Sequence, residues 1–427
     1  MSLRCVLIGF VLLATPVRAV GDTAPNAVTD WAVIVQQVIH NAAAPRSGGT
    51  SQILHTMVHL AVYDAVVAIE GGYQPYAGPI HAEPGADVRA AVATAAYLTA
   101  RPRLAATQVP VLDAQYAAYM SAIPDGQGKI DGAHVGELAA AAILDRRASD
   151  GFGNVVPYAC SSVPPAIGEF EPDSGCPSSP GAAQPADAKV GQIEPFTFTN
   201  ATRFRMNKPY PFESEAYAQD FAETRDYGRK DSGIRSPEQT DIAYFWSENP
   251  YVHWNRNLMS LAVARGLSLR DTARFFALVH TAVSDAIIAG FDAKYYFRAW
   301  RPRTAIPLAD LDGNPRTGAD PTWQPLLNVN HPEYPSGHGF WSRALVDAVA
   351  SFFGSNDVTW TIVTSKTAVP PLVKGERTYE QLDVLMREIG NARVWGGLHW
   401  RHAVVHGERI GRRVASHVTT HFFRPIE

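Results

Sequence analysis

The sequence is poor in cysteine, has no excess of basic residues and shows little of the polar and apolar alternation that marks strands. Three cysteines among 427 residues exclude a small scaffold held by several disulfides. The formal net charge of −4 argues against nucleic acid as a partner. Beyond the N-terminus we find no stretch long and apolar enough to cross a bilayer of about 30 Å. We therefore expect no membrane span.

The first nineteen residues have the pattern of an export signal. Arg4 precedes an apolar run over 5–14, and Val17-Arg18-Ala19 has the form of a signal-peptidase site. Ten apolar residues are too few for a membrane anchor. We expect cleavage after Ala19 and export to the periplasm or the medium. Because the segment carries two arginines and no acidic residue, its removal changes the net charge from −4 to −6.

Cys160 and Cys176 remain once Cys5 leaves with the signal. An even pair of cysteines in an oxidising compartment is typical of a disulfide. The alternative is two free buried thiols, which fits poorly with the polar, loop-like segment between them. We predict a disulfide bond between Cys160 and Cys176.

Most of the chain is predicted to be helical. Alanine-rich amphipathic stretches recur along it, and they cover 27–45, 50–70, 87–122, 132–148, 236–265, 268–299, 338–353 and 378–394. The region 151–200 is dense in Pro, Ser, Gly and Ala and has no sustained period. We predict an all-α fold with a bundle over 20–150, an irregular connection over 151–235 and a second bundle over 236–427.

A weak internal repeat links the two predicted bundles. Residues 57–68 align without gaps on residues 278–289, and a histidine, an aspartate and several small apolar residues keep their register. Two related bundles packed together would explain this, and the alternative is a coincidence between two alanine-rich helices. The repeated aspartates, Asp64 and Asp285, are expected to make polar contacts between helices, with a supporting position beside a functional site as the other possibility.

The segment Tyr334 to His338 has the features of an anion-binding helix start. Pro335 disfavours helix before it, Ser336 is a good N-cap, and the residues from His338 onward have a helical pattern. The amides around Gly337 would then face a bound anion at the positive end of the helix dipole. Taken alone, the segment also fits a capped helix with a surface histidine.

A lysine and an arginine lie seven residues apart before a proline. Seven residues are nearly two helical turns, so Lys294 and Arg301 can share a face, and Pro302 pushes Arg301 out of helical geometry. An ammonium and a guanidinium can then converge on one oxyanion. The alternative is a solvated basic face.

Arg393 and His399 flank a glycine pair. On one continuous helix, residues six apart would lie on different faces. The break at Gly396-Gly397 lets the end of one helix and the start of the next turn both side chains inward. An isolated histidine at this place would more often be structural.

Together these segments resemble the signature shared by vanadium-dependent haloperoxidases and the type 2 phosphatidic acid phosphatase superfamily. That signature is Lys, six residues, Arg-Pro; then Pro-Ser-Gly-His; then Ser-Arg, five residues, His. All internal spacings are kept here, although Ala392 replaces the serine of the third motif. The resemblance extends over most of 254–411 and is weakest over 70–235, and the helical N-terminal half is similar to that of bacterial haloperoxidase-like members.

The resemblance implies a role for each matched residue. His399 Nε2 would be the ligand of vanadate or the nucleophile that takes up phosphate, and His338 would be the general acid and base. The remaining matched residues would bind the oxygens of the anion; they are Lys294, Arg301, Ser336, Gly337 and Arg393. One cationic site serves both chemistries because trigonal-bipyramidal vanadate has the shape of a phosphoryl-transfer transition state.

Two activities are compatible with this resemblance. The first is a haloperoxidase that uses vanadate as cofactor and oxidises halide with hydrogen peroxide. The alternative is an exported acid phosphatase that cleaves phosphomonoesters through a phosphohistidine. The acid phosphatases usually carry an aspartate that orients the nucleophilic imidazole, where this chain has Ala403. His331 stands where bromoperoxidases also place a histidine, so we favour the haloperoxidase.

Other interpretations use the remaining histidines. A zinc hydrolase could be built on helix faces that carry histidines three or four residues apart; the two candidate sets are His399, His402 and His406, and His55 and His59. Neither set has the glutamate of a His-Glu-x-x-His motif. A protein that only captures phosphate would need cations and amides, but no pair of catalytic histidines.

Overall fold

The computed structural model describes residues 26–40, 46–176, 184–368 and 374–426. The predicted export signal over 1–19 lies outside these residues. Within them the chain is mostly helical, which confirms the predicted all-α class. The helices are α1 (Ala27–Ile39), α2 (Gly48–Glu70), α3 (Val88–Ala100), α4 (Val109–Ser121), α5 (Gln127–Arg146), α6 (Glu215–Gly228), α7 (Pro237–Phe245), α8 (Pro250–Ala264), α9 (Leu269–Phe297), α10 (Pro302–Ala305), α11 (Gly337–Phe353), α12 (Leu382–Trp395) and α13 (Arg401–His421).

Two long helices, α2 and α9, form the centre of the core. Most residues of both helices are buried, 19 of the 23 in α2 and 21 of the 29 in α9, and the two helices pack against each other. Each begins at a serine whose hydroxyl accepts a backbone N–H of the first turn, Ser47 for α2 and Ser268 for α9. Their apolar surface on all sides is what allows other helices to pack around both.

The predicted repeat corresponds to the middle of these two helices. The carboxylate of Asp64 accepts the backbone N–H groups of 76–77, and that of Asp285 accepts those of 196–197, over 2.6 to 3.1 Å. Each repeated aspartate therefore ties a loop to a core helix. Burial raises the pKa of each carboxyl to about 6.

Helix α13 packs closely along α11 through glycines. A Cβ placed on Gly407 would lie 2.5 Å from Ser336 O, and one on Gly411 would lie 2.5 Å from Phe340 O. Only residues without a side chain allow the two backbones to approach this far. This packing fixes the start of α11, which carries the Ser-Gly-His segment, against the last helix.

Several predicted boundaries are wrong. The stretch 87–122 is two helices, because α3 gives way at Arg101–Arg103 to a 3-10 turn that contains a proline. The stretch 236–265 is likewise broken before Pro250, which begins α8. The predicted irregular connection contains helix α6, which buries Tyr217 and Phe221 on one face.

A short hairpin was missed from the sequence. Strands β1 (Trp360–Val363) and β2 (Glu376–Tyr379) pair antiparallel, with Trp360 opposite Tyr379. Four residues a strand give too little alternation to detect. The predicted bond between Cys160 and Cys176 is present, with their Cα atoms 5.6 Å apart. The division of the chain into domains stays a prediction.

Helices α2 and α9 also bear on the expected absence of membrane spans. Both are long and apolar enough to cross a bilayer by length and composition, contrary to our reading of the sequence. Their most apolar windows are, however, 89% and 94% buried inside the protein. The apolar surface is thus covered by other helices, as in core helices.

Candidate oxyanion site

Lys294 and Arg301 meet at one short segment of backbone. Lys294 lies in the last turn of α9, and its Nζ donates to Pro332 O at 2.8 Å and to Glu333 O at 3.1 Å. Arg301 precedes α10, and its Nη2 donates to the same Pro332 carbonyl at 3.2 Å. Both side chains are at most 1% exposed. The structure therefore brings together the two cations of the first motif.

The Arg301 guanidinium also joins His331 to His399. Its Nε donates to His331 O at 2.7 Å and its Nη2 lies 2.9 Å from His331 Nδ1. Its Nη1 donates to Leu398 O at 2.7 Å and lies 3.4 Å from His399 Nε2. The planar fork thus holds residues from two distant segments around one point.

Arg393 and His338 share the carbonyl of Trp246. Arg393 Nη1 donates to this oxygen at 3.0 Å, and the His338 imidazole is hydrogen-bonded to it as well. The Arg393 side chain is 3% exposed, and its Nε is buried without a hydrogen-bond partner. The end of α12 and the start of α11 are thereby brought to the same place.

Ser336 and Gly337 begin α11 as predicted. The Ser336 hydroxyl accepts the Gly339 N–H at 3.4 Å, which makes it the N-cap. A Cβ added to Gly337 would lie 3.9 Å from both Lys294 Cε and His331 Cε1. The bare backbone of Gly337 thus faces these two side chains, and the helix start points toward the cations.

The three buried cations have no ion-pair partner among the described residues. Burial lowers the pKa of Lys294 well below its usual value, that of Arg301 to about 10 and that of Arg393 to about 9. Buried charges in proteins are normally compensated by a counter-charge. Glu333 acts on Lys294 and Arg301, but a single carboxyl group leaves an excess of positive charge at the site, and this excess favours a bound anion.

The three histidines of the site are neutral. Burial lowers the pKa of His331, His338 and His399 well below 6.5, and the neighbouring cations lower it further. A neutral imidazole keeps one nitrogen lone pair. Each of the three can therefore bind a proton or, at a free nitrogen, an electrophilic centre.

A glutamate that the sequence analysis missed orients His399. Glu333 Oε1 lies 2.8 Å from His399 Nδ1 and accepts the Trp400 N–H at 3.1 Å. Burial raises the pKa of Glu333 to about 7, against the effect of nearby positive groups. The orienting carboxylate that Ala403 does not provide therefore comes from another segment. In the sequence, Glu333 lies two residues before the second motif, and nothing else there marked it.

The structure does not place Asp285 at this site, which corrects its possible supporting role. Its carboxylate is engaged by Phe196 and Thr197, and it does not line the cavity around His399. His331, in contrast, lines that cavity and contacts Arg301.

The histidines after His399 do not form a metal site together. His402 Nδ1 lies 2.5 Å from Asp220 Oδ2, whereas His406 Nδ1 lies 2.6 Å from the Tyr334 hydroxyl. Each ring is thus held by a partner of its own. The set predicted for a zinc hydrolase is not assembled.

The second candidate pair, His55 and His59, does come together, and it meets His280 in the core between α2 and α9. One ring nitrogen from each of His55, His59 and His280 lies within 4.8 Å of the others. The rings of His59 and His280 stack with centroids 4.6 Å apart. Gln52 and Tyr251 hydrogen-bond to the outer members. None of the three lines the cavity around His399.

The oxyanion site opens into a cavity of about 550 Å³. His331, Gly337, His338, Arg393 and His399 line its floor. The walls include 247–250, where α8 begins, and 327–330, in the loop before α11. The N-terminal half contributes 48–49, the start of α2, which the sequence did not predict.

The C-terminal part of the chain, which carries the three motifs, is similar to known proteins. Residues 274–427 match the family model of the VCPO second helical-bundle domain, and this range contains all seven residues of the three motifs. The chain is 31% identical over 153 residues to the vanadium chloroperoxidase of Curvularia inaequalis, which covers 30% of this chain and 24% of that protein.

The likeness to solved structures extends over nearly the whole chain. A bacterial vanadium-dependent iodoperoxidase superposes with a TM-score of 0.77 at 21% identity, over 97% of this chain and 99% of that one. A holo-type bacterial vanadium-dependent chloroperoxidase gives a TM-score of 0.69 at 18% identity, over 94% of each chain. The fold is that of the vanadium haloperoxidases.

The resemblance inferred from the three motifs is therefore confirmed. The vanadium haloperoxidase fold accounts for the two core helices and for the convergence of distant motifs on one cavity. Because the curated relative is matched over only 24% of its length and the structural identities are below 25%, these comparisons show the fold and leave the reaction to be argued from the site.

Proposed function

We propose that this protein is a vanadate-dependent haloperoxidase, which oxidises halide with hydrogen peroxide. The proposal rests on three buried cations, Lys294, Arg301 and Arg393, around the neutral ring of His399. In the part of the chain that the structure describes, none of the three has an ion-pair partner. The structural relatives, which are named for iodide and chloride oxidation, support it.

The residues present suit vanadate. Lys294, Arg301 and Arg393 would neutralise the oxyanion and donate to its oxygens, together with the groups at the start of α11. The Arg393 Nε, buried without a partner, is one donor that such an oxygen would satisfy. His399 Nε2 would be the protein ligand of the vanadium. Bound vanadate supplies a Lewis acid that makes peroxide reactive toward halide.

Glu333 prepares His399 for this role. Its ionised carboxylate accepts a hydrogen bond from Nδ1–H, which fixes the ring tautomer and leaves the lone pair on Nε2. The nearest charge to Nε2 is the Arg301 guanidinium, at 3.4 Å. The lone pair therefore faces the place where the anion would bind.

His338 is proposed as the proton carrier. It lies at the first turn of α11 and is held by the Trp246 carbonyl, beside Arg393. Its neutral ring can take a proton from incoming peroxide and return it to the departing oxygen. His331, bound to Arg301 on the cavity wall, is proposed to stand beside the entering halide.

An acid phosphatase is the second candidate. The Glu333 to His399 contact is the arrangement that an imidazole nucleophile needs, so the absence of an aspartate at 403 no longer counts against it. In that reaction His399 Nε2 would attack a phosphomonoester, and His338 would protonate the leaving alkoxide.

Two assays on one preparation distinguish the candidates. The protein is loaded with orthovanadate, and peroxide-dependent oxidation of iodide and bromide is measured. Hydrolysis of p-nitrophenyl phosphate is measured in parallel in vanadate-free buffer. We expect halide oxidation that disappears in His399→Ala and persists in His421→Ala, an exposed histidine on α13.

Phosphatase activity that vanadate inhibits, with no halide oxidation, would make the second candidate correct. Loss of activity in the His421 control as well as in His399→Ala would show that the variants act through folding. Loss of neither activity in His399→Ala would contradict both candidates.

We further propose export. The pattern over 1–19 and the bond between Cys160 and Cys176 support it, because disulfides persist in oxidising compartments. Mass spectrometry of the secreted protein should give an N-terminus at Val20, and an intact Met1 would contradict the proposal.

A further inference from the structure

Trp246 contacts both Arg393 and His338 without lining the cavity itself. Its carbonyl oxygen accepts from Arg393 Nη1 at 3.0 Å and from the His338 imidazole. Arg393 and His338 line the cavity around His399, whereas Trp246 is 1% exposed and is not part of its wall. Any effect of Trp246 on a bound anion should therefore pass through these two side chains.

The position of this carbonyl follows from the sequence of α7. Ser236 and Gln239 form a capping box at the start of α7, and Trp246 caps its end, where backbone carbonyls have no partner within the helix. These carbonyls lie at the negative end of the helix dipole and attract cations. The end of α7 therefore offers Arg393 an acceptor that carries no full charge.

A neutral acceptor suits both of the side chains that it holds. A carboxylate in the same place would compensate the charge of the Arg393 guanidinium, as in a buried ion pair. A carbonyl fixes one N–H and leaves that charge for the oxyanion. It likewise fixes one N–H of His338 and leaves the lone pair on the other ring nitrogen. His399, in contrast, is held by the carboxyl group of Glu333.

The indole of Trp246 is anchored at a second point. Its Nε1 donates to Glu388 Oε1 at 3.0 Å, and its ring packs against that of His253 with centroids 5.0 Å apart. Glu388 precedes Arg393 by five residues on α12. Trp246 thus contacts one helix at two points, through its side chain and through its carbonyl. The two contacts together fix the carbonyl relative to Arg393.

Glu388 is itself held by the neighbouring strand β2. Its Oε1 also accepts from the Tyr379 hydroxyl at 2.5 Å, and Arg377 Nη1 lies 3.5 Å from its Oε2. The same Arg377 nitrogen donates to Glu238 on α7 at 2.8 Å. Strand β2 therefore links α7 to α12, two helices that also pack against each other. The acceptor of the Trp246 indole is in this way fixed to both helices.

We infer that Trp246 is a positioning residue: its indole N–H, anchored on Glu388, holds in place the carbonyl that orients Arg393 and His338 at the cavity. The inference rests on the roles proposed for Arg393 and His338, which the haloperoxidase and the phosphatase candidates share. It concerns the geometry of the site before any reaction, so it can be tested without turnover.

Phosphate binding to the vanadate-free protein tests the effect on Arg393 by calorimetry. Trp246→Phe removes the indole N–H and keeps an aromatic ring, so phosphate affinity should fall by about 3- to 10-fold. Trp360→Phe is the matched control, because Trp360 is 3% exposed and its Nε1 donates to Asn257 O at 3.2 Å, but it does not line the cavity. The control should lose similar thermal stability and keep its affinity.

Two substitutions of Glu388 test the same hydrogen bond from its acceptor. Both remove the charge that faces Arg377, so their difference isolates the contact with Trp246. Glu388→Gln keeps an oxygen that accepts from the indole N–H, and its phosphate affinity should stay near that of wild type. Glu388→Leu has no acceptor and should lose about 3- to 10-fold. This pair decides the matter even if Trp246→Phe does not fold.

A double-mutant cycle separates positioning from a general loss of stability. In an Arg393→Met background the guanidinium that Trp246 orients is absent. Trp246→Phe should then weaken phosphate binding less than it does in wild type, because the two substitutions remove one shared interaction. Equal losses in both backgrounds would show that Trp246 does not act through Arg393.

Nitrogen-15 NMR of histidine-labelled, vanadate-free protein tests the effect on His338. Its ring signals are identified by their absence in His338→Gln. In wild type we expect the proton on one ring nitrogen, and in Trp246→Phe a mixture of both tautomers. The same single tautomer in both proteins would show that Trp246 does not orient this ring.

The outcomes distinguish this inference from the proposed function. Wild type that binds phosphate but oxidises no halide would contradict the haloperoxidase and leave the inference intact. Unchanged affinity in Trp246→Phe, or equal losses in Trp360→Phe or in Glu388→Gln and Glu388→Leu, would overturn the inference even if halide oxidation is found. Wild type that binds no phosphate would overturn it as well.

Discussion

Helices α2 and α9 carry the same repeated residues, yet only α9 reaches the oxyanion site. In both, the repeated aspartate holds two backbone N–H groups, and the repeated histidines stack on each other between the helices. Helix α2 ends at Glu70, soon after its aspartate, whereas α9 continues to Phe297. Those additional turns bring Lys294 to the backbone carbonyls of 332–333, beside Gly337. The shared residues therefore build the core, and an extension of one copy carries a residue of the candidate site.

The histidines of these two regions differ in the same way. His59 and His280 are buried and neutral, and they contact other neutral rings and amides. His399 is equally buried, but its neighbours are cations without partners and a carboxylate. Burial of a histidine is therefore weak evidence for function. An excess of buried positive charge beside the ring is stronger evidence.

The largest expected effect is that of a substitution at Lys294, and the equivalent position in the other repeat provides the control. Lys294→Met should weaken oxyanion binding and slow halide oxidation by about 10²- to 10³-fold, because one charged donor is lost from a buried site. Tyr73 occupies the position equivalent to Lys294 after α2, and its hydroxyl bonds Asp271. Tyr73→Phe should leave oxyanion binding and the rate of halide oxidation unchanged. Phosphate titration calorimetry and steady-state kinetics measure the difference, and equal losses in both variants would contradict the comparison.

The carboxylate beside His399 should have the next largest effect. Glu333→Gln removes the charge that holds Nδ1–H, so vanadate affinity and the rate should fall by about 10- to 100-fold. Glu223→Gln is the control, because Glu223 pairs with Arg401 away from the cavity. Titration of vanadate-free protein with orthovanadate gives the affinities. An unchanged affinity in Glu333→Gln would show that the carboxylate does not support His399.

The repeated aspartates should affect stability and leave function intact. Asp64→Ala and Asp285→Ala each leave two backbone N–H groups without a partner, which costs about 1–3 kcal/mol for each unsatisfied group. Urea denaturation measures the free energy of unfolding. Similar losses in both variants, with unchanged kinetics of the folded protein, would support a structural repeat. Loss of activity in Asp285→Ala alone would restore its supporting role.

The contribution of Asp64 and Asp285 to stability depends on pH, and the pKa values of the two carboxyls give the direction of the change. The folded-state pKa of each aspartate is about 6, above the unfolded value of about 3.9. The folded protein therefore binds more protons between these values, and stability falls as pH rises from 4 to 6. The advantage of wild type over either alanine variant should shrink by at most about 1.4 kcal/mol per pH unit. A growing advantage would contradict this assignment.

The smallest expected effect is in the number of protons that the protein takes up when an anion binds. Burial and two arginines lower the pKa of Lys294, and a bound anion would raise it again. Sulfate binding near pH 9 should therefore take up a fraction of a proton, up to one, in wild type and none through this group in Lys294→Met. Calorimetry in two buffers of different ionisation enthalpy measures it. Equal uptake in both proteins would assign the proton to another group.

The local sequence was sufficient to predict most of the helices and the positions of the three motifs. Each motif could be placed at a helix start or a helix end from local sequence, and the resemblance to a known family signature joined Lys294 and Arg301, Ser336 to His338, and Arg393 and His399 into one site. Helix α6 was missed although Ser214 caps it and Tyr217 and Phe221 share its buried face. The neighbouring proline-rich segment obscured that signal.

Glu333 could not be assigned from the sequence. Nothing local distinguishes its side chain from an exposed loop acid, since its partner His399 is 66 residues away along the chain. A second cavity, whose walls are largely aromatic, likewise depends on contacts between segments that are far apart in the chain. Tyr217 lies on α6, Trp300 follows α9 and Trp400 precedes α13, so only packing brings them together.

The sequence by itself determined the helical class and the disulfide pair, and its motifs indicated the residues proposed to bind an oxyanion, because caps, periodicity and motif spacing act over a few residues. Tertiary structure alone decided which carboxylate orients His399, that Asp285 serves the core, and that aromatic side chains from three segments enclose a second cavity. Those outcomes depend on burial and on distances between segments far apart in the chain, which no local pattern encodes.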